Sequence, residues 1–74
     1  MMRNACLVLG NSGYPEAVAY LVRALQDPAP LVRQHAAWGL GRISTAAARD
    51  ALNNHLETEQ ESETRAEVLE ALGL

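Results

Sequence analysis

Arg33, His35, Trp38 and Arg42 crowd into one short span of this 74-residue chain. Counting about 100° per residue on a helix, Leu31, His35, Trp38 and Arg42 share one stripe. An indole beside a cation can stack on a base or a sugar, and a guanidinium suits bidentate contact with phosphate or carboxylate. The same stripe would also serve packing between helices, because Trp38 corresponds to the apolar Leu7 of an earlier, similar stretch. Packing is the expected role of Trp38. Arg33 lies off that stripe, and Arg65 takes the equivalent place in a later stretch. A repeated residue suits a framework role, with Asp27 and Glu63 as the expected carboxylate partners of Arg33.

Other residues with reactive side chains lack companions. His35 and His55 are the two histidines, and no ligand set forms around either. His55 falls on an apolar stripe and reads as a histidine at the edge of the core. Cys6 is the single cysteine, which rules out an internal disulfide and a cysteine-only zinc or iron–sulfur site within the chain. It is expected to be a small buried apolar residue. Gly10-Asn11-Ser12-Gly13 lacks the preceding strand and the following lysine of a phosphate-binding loop, so it reads as a turn. No catalytic residue and no metal site is assigned.

Five helices and no strand are expected to carry these groups. The first covers about residues 2–11 and stops at the Gly10–Gly13 turn. The second covers about 15–26, with Pro15 at its first position and Val18, Leu21, Val22 and Leu25 at helical spacing. Asp27-Pro28-Ala29-Pro30 then breaks the chain, because each proline removes a donor and restricts its predecessor. The third helix, about 30–43, has Val32, Ala36, Leu40 and Ile43 as its core stripe. Ser44 or Thr45 caps the fourth, about 46–57, with Ala48, Ala51, Leu52, His55 and Leu56 inward. A glutamate-rich connector leads to the fifth, about 63–73, where negative charge favours the N-terminal end of the helix dipole.

The helices are copies of one unit. Ala5-Cys6-Leu7-Val8-Leu9-Gly10 returns as Ala36-Ala37-Trp38-Gly39-Leu40-Gly41 and fades into Val68-Leu69-Glu70-Ala71-Leu72-Gly73. Gly10, Gly41 and Gly73 thus recur with a nearly constant period. A period in this range marks stacked helical hairpins, each burying its apolar face against its neighbour. The expected fold is all-α: a right-handed superhelix of about two and a half hairpins in one domain, 1–74. The chain opens on an inner helix with no outer partner before it, so a piece or C-terminal module of a longer protein is expected. Exposed inner-helix faces at the ends also suit self-association.

Charge is uneven. Residues 1–43 set four arginines against two carboxylates, leaving +2, and residues 44–74 set two arginines against seven, leaving −5. The acidic half would repel RNA, so a nucleic-acid contact is expected to avoid it. No apolar run approaches the roughly 20 residues that span a bilayer. Nothing resembles a secretory leader, so a cytoplasmic setting is expected.

Val32-Arg33-Gln34-His35-Ala36-Ala37-Trp38-Gly39-Leu40-Gly41-Arg42, with Asp27-Pro28 before it and Pro15-Glu16-Ala17-Val18 and Leu21 in the preceding helix, resembles the HEAT-like repeats also found in phycobilisome lyases. More narrowly, Arg3-Asn4-Ala5, Leu9-Gly10-Asn11-Ser12-Gly13, and Leu31-Val32-Arg33 with His35-Ala36-Ala37-Trp38 resemble the C-terminal helical module of epoxyqueuosine reductases. Those enzymes complete queuosine in the tRNA anticodon loop, using cobalamin and two [4Fe–4S] clusters held in upstream domains. The resemblance implies a non-catalytic module that helps position tRNA. It implies an anticodon stem-loop as partner and Arg3, Asn4, Arg33, His35 and Arg42 as candidate contacts. No cluster-binding cysteine run is present, so no cofactor is carried over to this chain. Tyr14 stands where the pattern favours an aspartate, and Gly39 replaces an alanine. The competing expectation is a protein–protein scaffold without an RNA role, with a bilin lyase-like subunit behind it.

Overall fold

The computed structural model describes residues 15–74, and within them the chain forms four helices and no strand. These are α1 (Pro15–Ala24), α2 (Pro30–Ile43), α3 (Ala46–Leu56) and α4 (Ser62–Ala71). The first expected helix lies outside the described residues, with Arg3, Asn4, Cys6 and the Gly10–Gly13 turn. The other four match the expected segments closely at most ends, because the signals that start and stop them are local.

Pro30 opens α2 at a position where its missing N–H leaves no bond unmade. No side chain caps that helix, but Asp27 Oδ1 accepts the Ala29 N–H at 2.9 Å and fixes the approach. α2 ends at Ser44, which is left-handed at φ 56°, and the Ser44 Oγ donates to the Gly41 carbonyl at 2.6 Å. Thr45 then caps α3, its hydroxyl accepting the Ala48 N–H at 3.2 Å. The choice between Ser44 and Thr45 is thus settled by division of labour, one closing α2 and the other opening α3. Glu61 caps α4 by accepting the Thr64 N–H at 3.0 Å. α4 closes with Gly73 at φ 80°, and Leu74 N–H reaches back to the Leu69 carbonyl at 2.9 Å.

Ser44 is the one described non-glycine residue with positive φ. A left-handed conformation costs an L-residue about 1–2 kcal/mol, so Ser44→Gly is expected to stabilise the chain by about 0.5–1 kcal/mol after loss of the Oγ bond. A rise in the urea midpoint with an unchanged slope would show it; an unchanged or lower midpoint would refute it.

The outer helices α1 and α3 form one layer and the inner helices α2 and α4 the other, giving a slab of 28 × 26 × 15 Å. α2 is the hub, touching all three other helices. Its core stripe is wider than the sequence suggests. Ala36 and Leu40 are buried as expected, but Ala37 and Gly39 are buried too, while Val32 and Ile43 are only half-buried. The small residues let α2 be enclosed from two sides. Leu21 and Leu25 of the first hairpin, Leu40, Leu52 and Val68 complete the interior, and Tyr20 packs against it.

Candidate recognition surface and the buried Arg33–Glu59–His55 cluster

Arg33 and Arg65 occupy equivalent positions near the start of the two inner helices, and both hold the loop before their own helix. The Arg33 Nη1 donates to the Asp27 carbonyl at 2.8 Å and the Pro28 carbonyl at 3.0 Å. The Arg65 Nη1 donates to the Leu56 carbonyl at 2.6 Å and the Glu59 carbonyl at 3.2 Å. In each hairpin the arginine therefore reaches back to the same backbone position of its loop, Asp27 in one and Glu59 in the other. The expected framework role is what the structure displays.

The carboxylate partner of Arg33 is Glu59, in place of the expected Asp27 or Glu63. Arg33 Nε and Nη2 grip the two Glu59 oxygens at 2.8 and 3.0 Å, a fork-to-fork pair. Asp27 contributes its backbone carbonyl instead. The Glu59 side chain is 2% exposed and that of Arg33 16%. Glu59 also accepts from the Glu61 N–H at 3.1 Å and lies 2.6 Å from His55 Nε2. Burial alone would raise the Glu59 carboxyl, but hydrogen bonds from Arg33, His55 and the Glu61 amide outweigh it and bring its pKa down to about 2. The same pair lifts the Arg33 guanidinium above its ordinary value, chiefly through the Glu59 hydrogen bond.

His55 is 7% exposed and takes the core-edge place expected of it. With Glu59 ionised, Nε2 carries the proton toward the carboxylate, and the buried Nδ1 has no hydrogen-bond partner. Glu59 is the site residue that the sequence does not single out. Its signal is the repeat register: Asp27 and Glu59 stand as far apart along the chain as Arg33 and Arg65 do. Each of those two acids accepts a nearby N–H in its own loop, Ala29 for Asp27 and Glu61 for Glu59.

The stripe with Leu31, His35, Trp38 and Arg42 is the outward side of α2. Leu31 is 52% exposed, Arg42 is exposed, and His35 and Trp38 are half-buried. The Arg42 guanidinium sits over the Trp38 indole, 5.2 Å from its centre. Together they wall a groove of about 360 Å³ whose far side is α4, with Glu67 and Glu70, and whose floor is Gly41 and Ala71. Glycine lets the two helices approach closely at that floor, since a Cβ on Gly41 would lie 2.8 Å from the Ala71 Cβ and force a shift.

The candidate contacts are thus separated in kind. Arg42 and His35 lie on the outward face of α2, with Trp38 between them. Arg33 is turned inward and makes four hydrogen bonds to protein oxygens. Arg49, by contrast, donates to the Leu72 carbonyl at 3.2 Å and ties α3 to the end of α4. Among the described residues no three His, Cys, Asp or Glu side chains are placed to hold a metal ion, and no helix is long and apolar enough to cross a membrane. With Cys6 the only thiol, the donor set does not fit an iron–sulfur cluster, and no step is derived through one.

Two layers of helices, joined as hairpins that reuse one arginine in each repeat, define a helical repeat protein. The HEAT-repeat family model matches residues 2–73, and the chain belongs to that family. It is 32% identical to the epoxyqueuosine reductase of Bacillus subtilis (strain 168) over 75 aligned positions, covering 100% of this chain and 19% of that protein. The Listeria monocytogenes epoxyqueuosine reductase is 35% identical over 69 positions, 92% of this chain and 18% of the relative. An uncharacterized protein in the gldA 3′ region of Geobacillus stearothermophilus is 30% identical over 73 positions, 97% of this chain and 34% of its own length. Among solved structures, a crystal structure of epoxyqueuosine reductase with a tRNA-Tyr epoxyqueuosine-modified tRNA stem loop superposes with a TM-score of 0.85. It is 32% identical, with 96% of this chain and 19% of that one covered. The chain thus spans about a fifth of the reductases it matches.

Proposed function

We propose that this chain is the non-catalytic HEAT-like module of an epoxyqueuosine reductase-like protein and that it helps position a tRNA stem-loop for catalytic domains elsewhere. The observation that carries this reading is the likeness to the reductase solved with a tRNA stem loop, at 32% identity over 96% of the chain. The mechanism is placement: cationic side chains fix the backbone of the RNA while other domains act on the base. Arg42 and His35 on the outward face of α2 suit that task, with Arg3 and Asn4 as further candidates. Arg33 would act only indirectly, by holding the loop that starts α2. A cytoplasmic setting goes with this reading. A protein–protein scaffold is the second reading, favoured by the net charge of −3 and by Glu67 and Glu70 beside Arg42.

Binding of an anticodon stem-loop across a salt series separates the two. The RNA reading expects affinity that falls steeply with salt, and Arg42→Ala is expected to reduce the slope by about 1 and the affinity by about 3- to 10-fold. Absence of binding at low salt would sink the RNA reading and leave the scaffold.

A further inference from the structure

Arg65 repeats only half of what Arg33 does. Both guanidinium groups use Nη1 to hold carbonyls of the loop before their own helix. Arg33 then closes Nε and Nη2 on Glu59, the acid that precedes the next inner helix. The Nε and Nη2 of Arg65 have no acceptor among the described residues. A guanidinium held by two carbonyls presents its remaining donors as a preorganised fork, which lowers the cost of binding.

The ridge around that fork is uncovered in the same way. On α2, the ridge of Arg33, Gln34, Ala37 and Gly41 lies under α4. Gln34 Nε2 donates to Thr64 Oγ1 at 3.3 Å, Ala37 is fully buried, and Gly41 admits Ala71. One repeat later the same register reads Arg65, Ala66, Leu69 and Gly73. There Ala66 is exposed and Leu69 half-buried. The outer helix beside it differs. Val18 and Val22 of α1 pack against the core, whereas their counterparts on α3, Arg49 and Asn53, are exposed. The outer layer thus presents a polar face, while the inner layer presents a small apolar ridge with an open fork. That edge suits one helix and not a whole hairpin.

We propose that this edge of α4 docks a helix of a partner protein that carries an aspartate or glutamate in the loop just before it. The carboxylate closes on Arg65 Nε and Nη2 as Glu59 closes on Arg33. The chain supplies the pattern itself, since Glu59 lies in the loop just before α4 begins at Ser62. A second copy offers no such helix, because its Glu59 is already gripped and its α2, the helix after Asp27, is enclosed from two sides. Phosphate is the poorer guest, because the seven carboxylates of residues 44–74 outnumber the two arginines and repel a polyanion. A single carboxylate is tolerated in such surroundings. Asp27 and Glu61 stand near the Arg33 fork, and the Glu59 pair forms there all the same. Neither Trp38 nor Arg42 takes part, so the inference stands apart from the RNA reading.

The probe is a second copy of residues 57–74, the part of the chain that covers α2, joined after Leu74 of the full chain. A glycine–serine linker of about 15 residues lets it return along the roughly 15 Å of α4, and the tether gives an effective concentration of about 1 mM. The readout is the NMR signal of the Arg65 Nε–H, with that of Arg33, already bound to carboxylate, as internal reference. The tethered segment is expected to move the Arg65 signal toward that of Arg33 and to add helix by circular dichroism. Glu59→Gln in the appended copy alone leaves the chain's own fold untouched, and it is expected to weaken docking about 5- to 10-fold. An Arg65 signal that stays in place, or that moves equally with the glutamine copy, would overturn the proposal. So would a shift with rising concentration of the untethered chain, which would give the edge to a second copy. A shift with a tRNA stem-loop but not with the segment would overturn it too, making the fork a phosphate site.

Discussion

Glu59→Ala is expected to destabilise the chain by about 3 kcal/mol, because removing one partner of a buried ion pair leaves the other uncompensated. Glu59 accepts four hydrogen bonds: two from Arg33, one from His55 and one from the Glu61 amide. Alanine would strand the Arg33 guanidinium, 16% exposed, and leave His55 with neither ring nitrogen bonded. For a domain of this size total stability is about 4–11 kcal/mol, so the variant would sit near its unfolding threshold. Urea titration followed by circular dichroism measures the difference. A loss under about 1 kcal/mol would mean that solvent replaces the contacts and that the cluster is not a staple. Replacing both partners, Arg33→Met with Glu59→Leu, is expected to recover most of the loss, since an apolar pair of similar volume carries no stranded charge. The loop carbonyls of Asp27 and Pro28 would still lose their donor, so recovery is incomplete.

The same carboxylate sets an acid limb. Its pKa is lowered from 4.5 to about 2 in the folded chain, so the folded state binds this proton more weakly than the unfolded state does. Its contribution is complete above about pH 4.5 and is lost as the pH falls from there through about 2. Wild-type stability is expected to decline across that window, and Glu59→Ala to decline less. Parallel profiles for the two proteins would contradict the assignment.

Gly41→Leu is expected to destabilise by about 3 kcal/mol, at the upper end of the usual range for overpacking. A Cβ at Gly41 would lie 2.8 Å from the Ala71 Cβ, 3.1 Å from its Cα and 3.3 Å from its carbonyl oxygen. Two of those three atoms are backbone and cannot rotate away, so α2 and α4 must separate. Gly41→Ala gains about 1 kcal/mol of helix propensity and should therefore lose only about 1–2 kcal/mol net. Ala71→Gly in that background removes the Cβ clash but leaves the Ala71 backbone just as near, so partial rescue is expected. A double-mutant cycle on the urea midpoints reads the coupling. Full additivity would show that the two positions do not meet. Because the groove floor is Gly41 and Ala71, the leucine should also shift Trp38 emission.

Much of the architecture is written locally. Pro15 and Pro30 mark helix starts, Asp27-Pro28 marks a break, and Thr45 offers a cap. The periodic return of arginine announces both the repeat and its framework role, since Arg33 and Arg65 hold equivalent carbonyls. The glycine repeat is legible as a period but not as a function. Gly41 lies inside α2 and allows close helix contact, whereas Gly73, its counterpart, ends α4 in the left-handed region. Apolar correspondence with Leu7 assigns Trp38 to packing, and the residue is half-buried, shared between a helix contact and an open groove.

The order, extent and repetition of the helices came from the chain itself, because caps, prolines and apolar spacing act over a few residues and require no knowledge of the neighbours. The distant pairing of Arg33 with Glu59, the double enclosure of α2 and the meeting of Trp38 and Arg42 with Glu67 and Glu70 were decided only when the hairpins stacked. A glutamate in an acidic connector looks solvated in sequence. It became the anchor of two hairpins because stacking carried it out of water and brought a guanidinium fork and an imidazole to its oxygens.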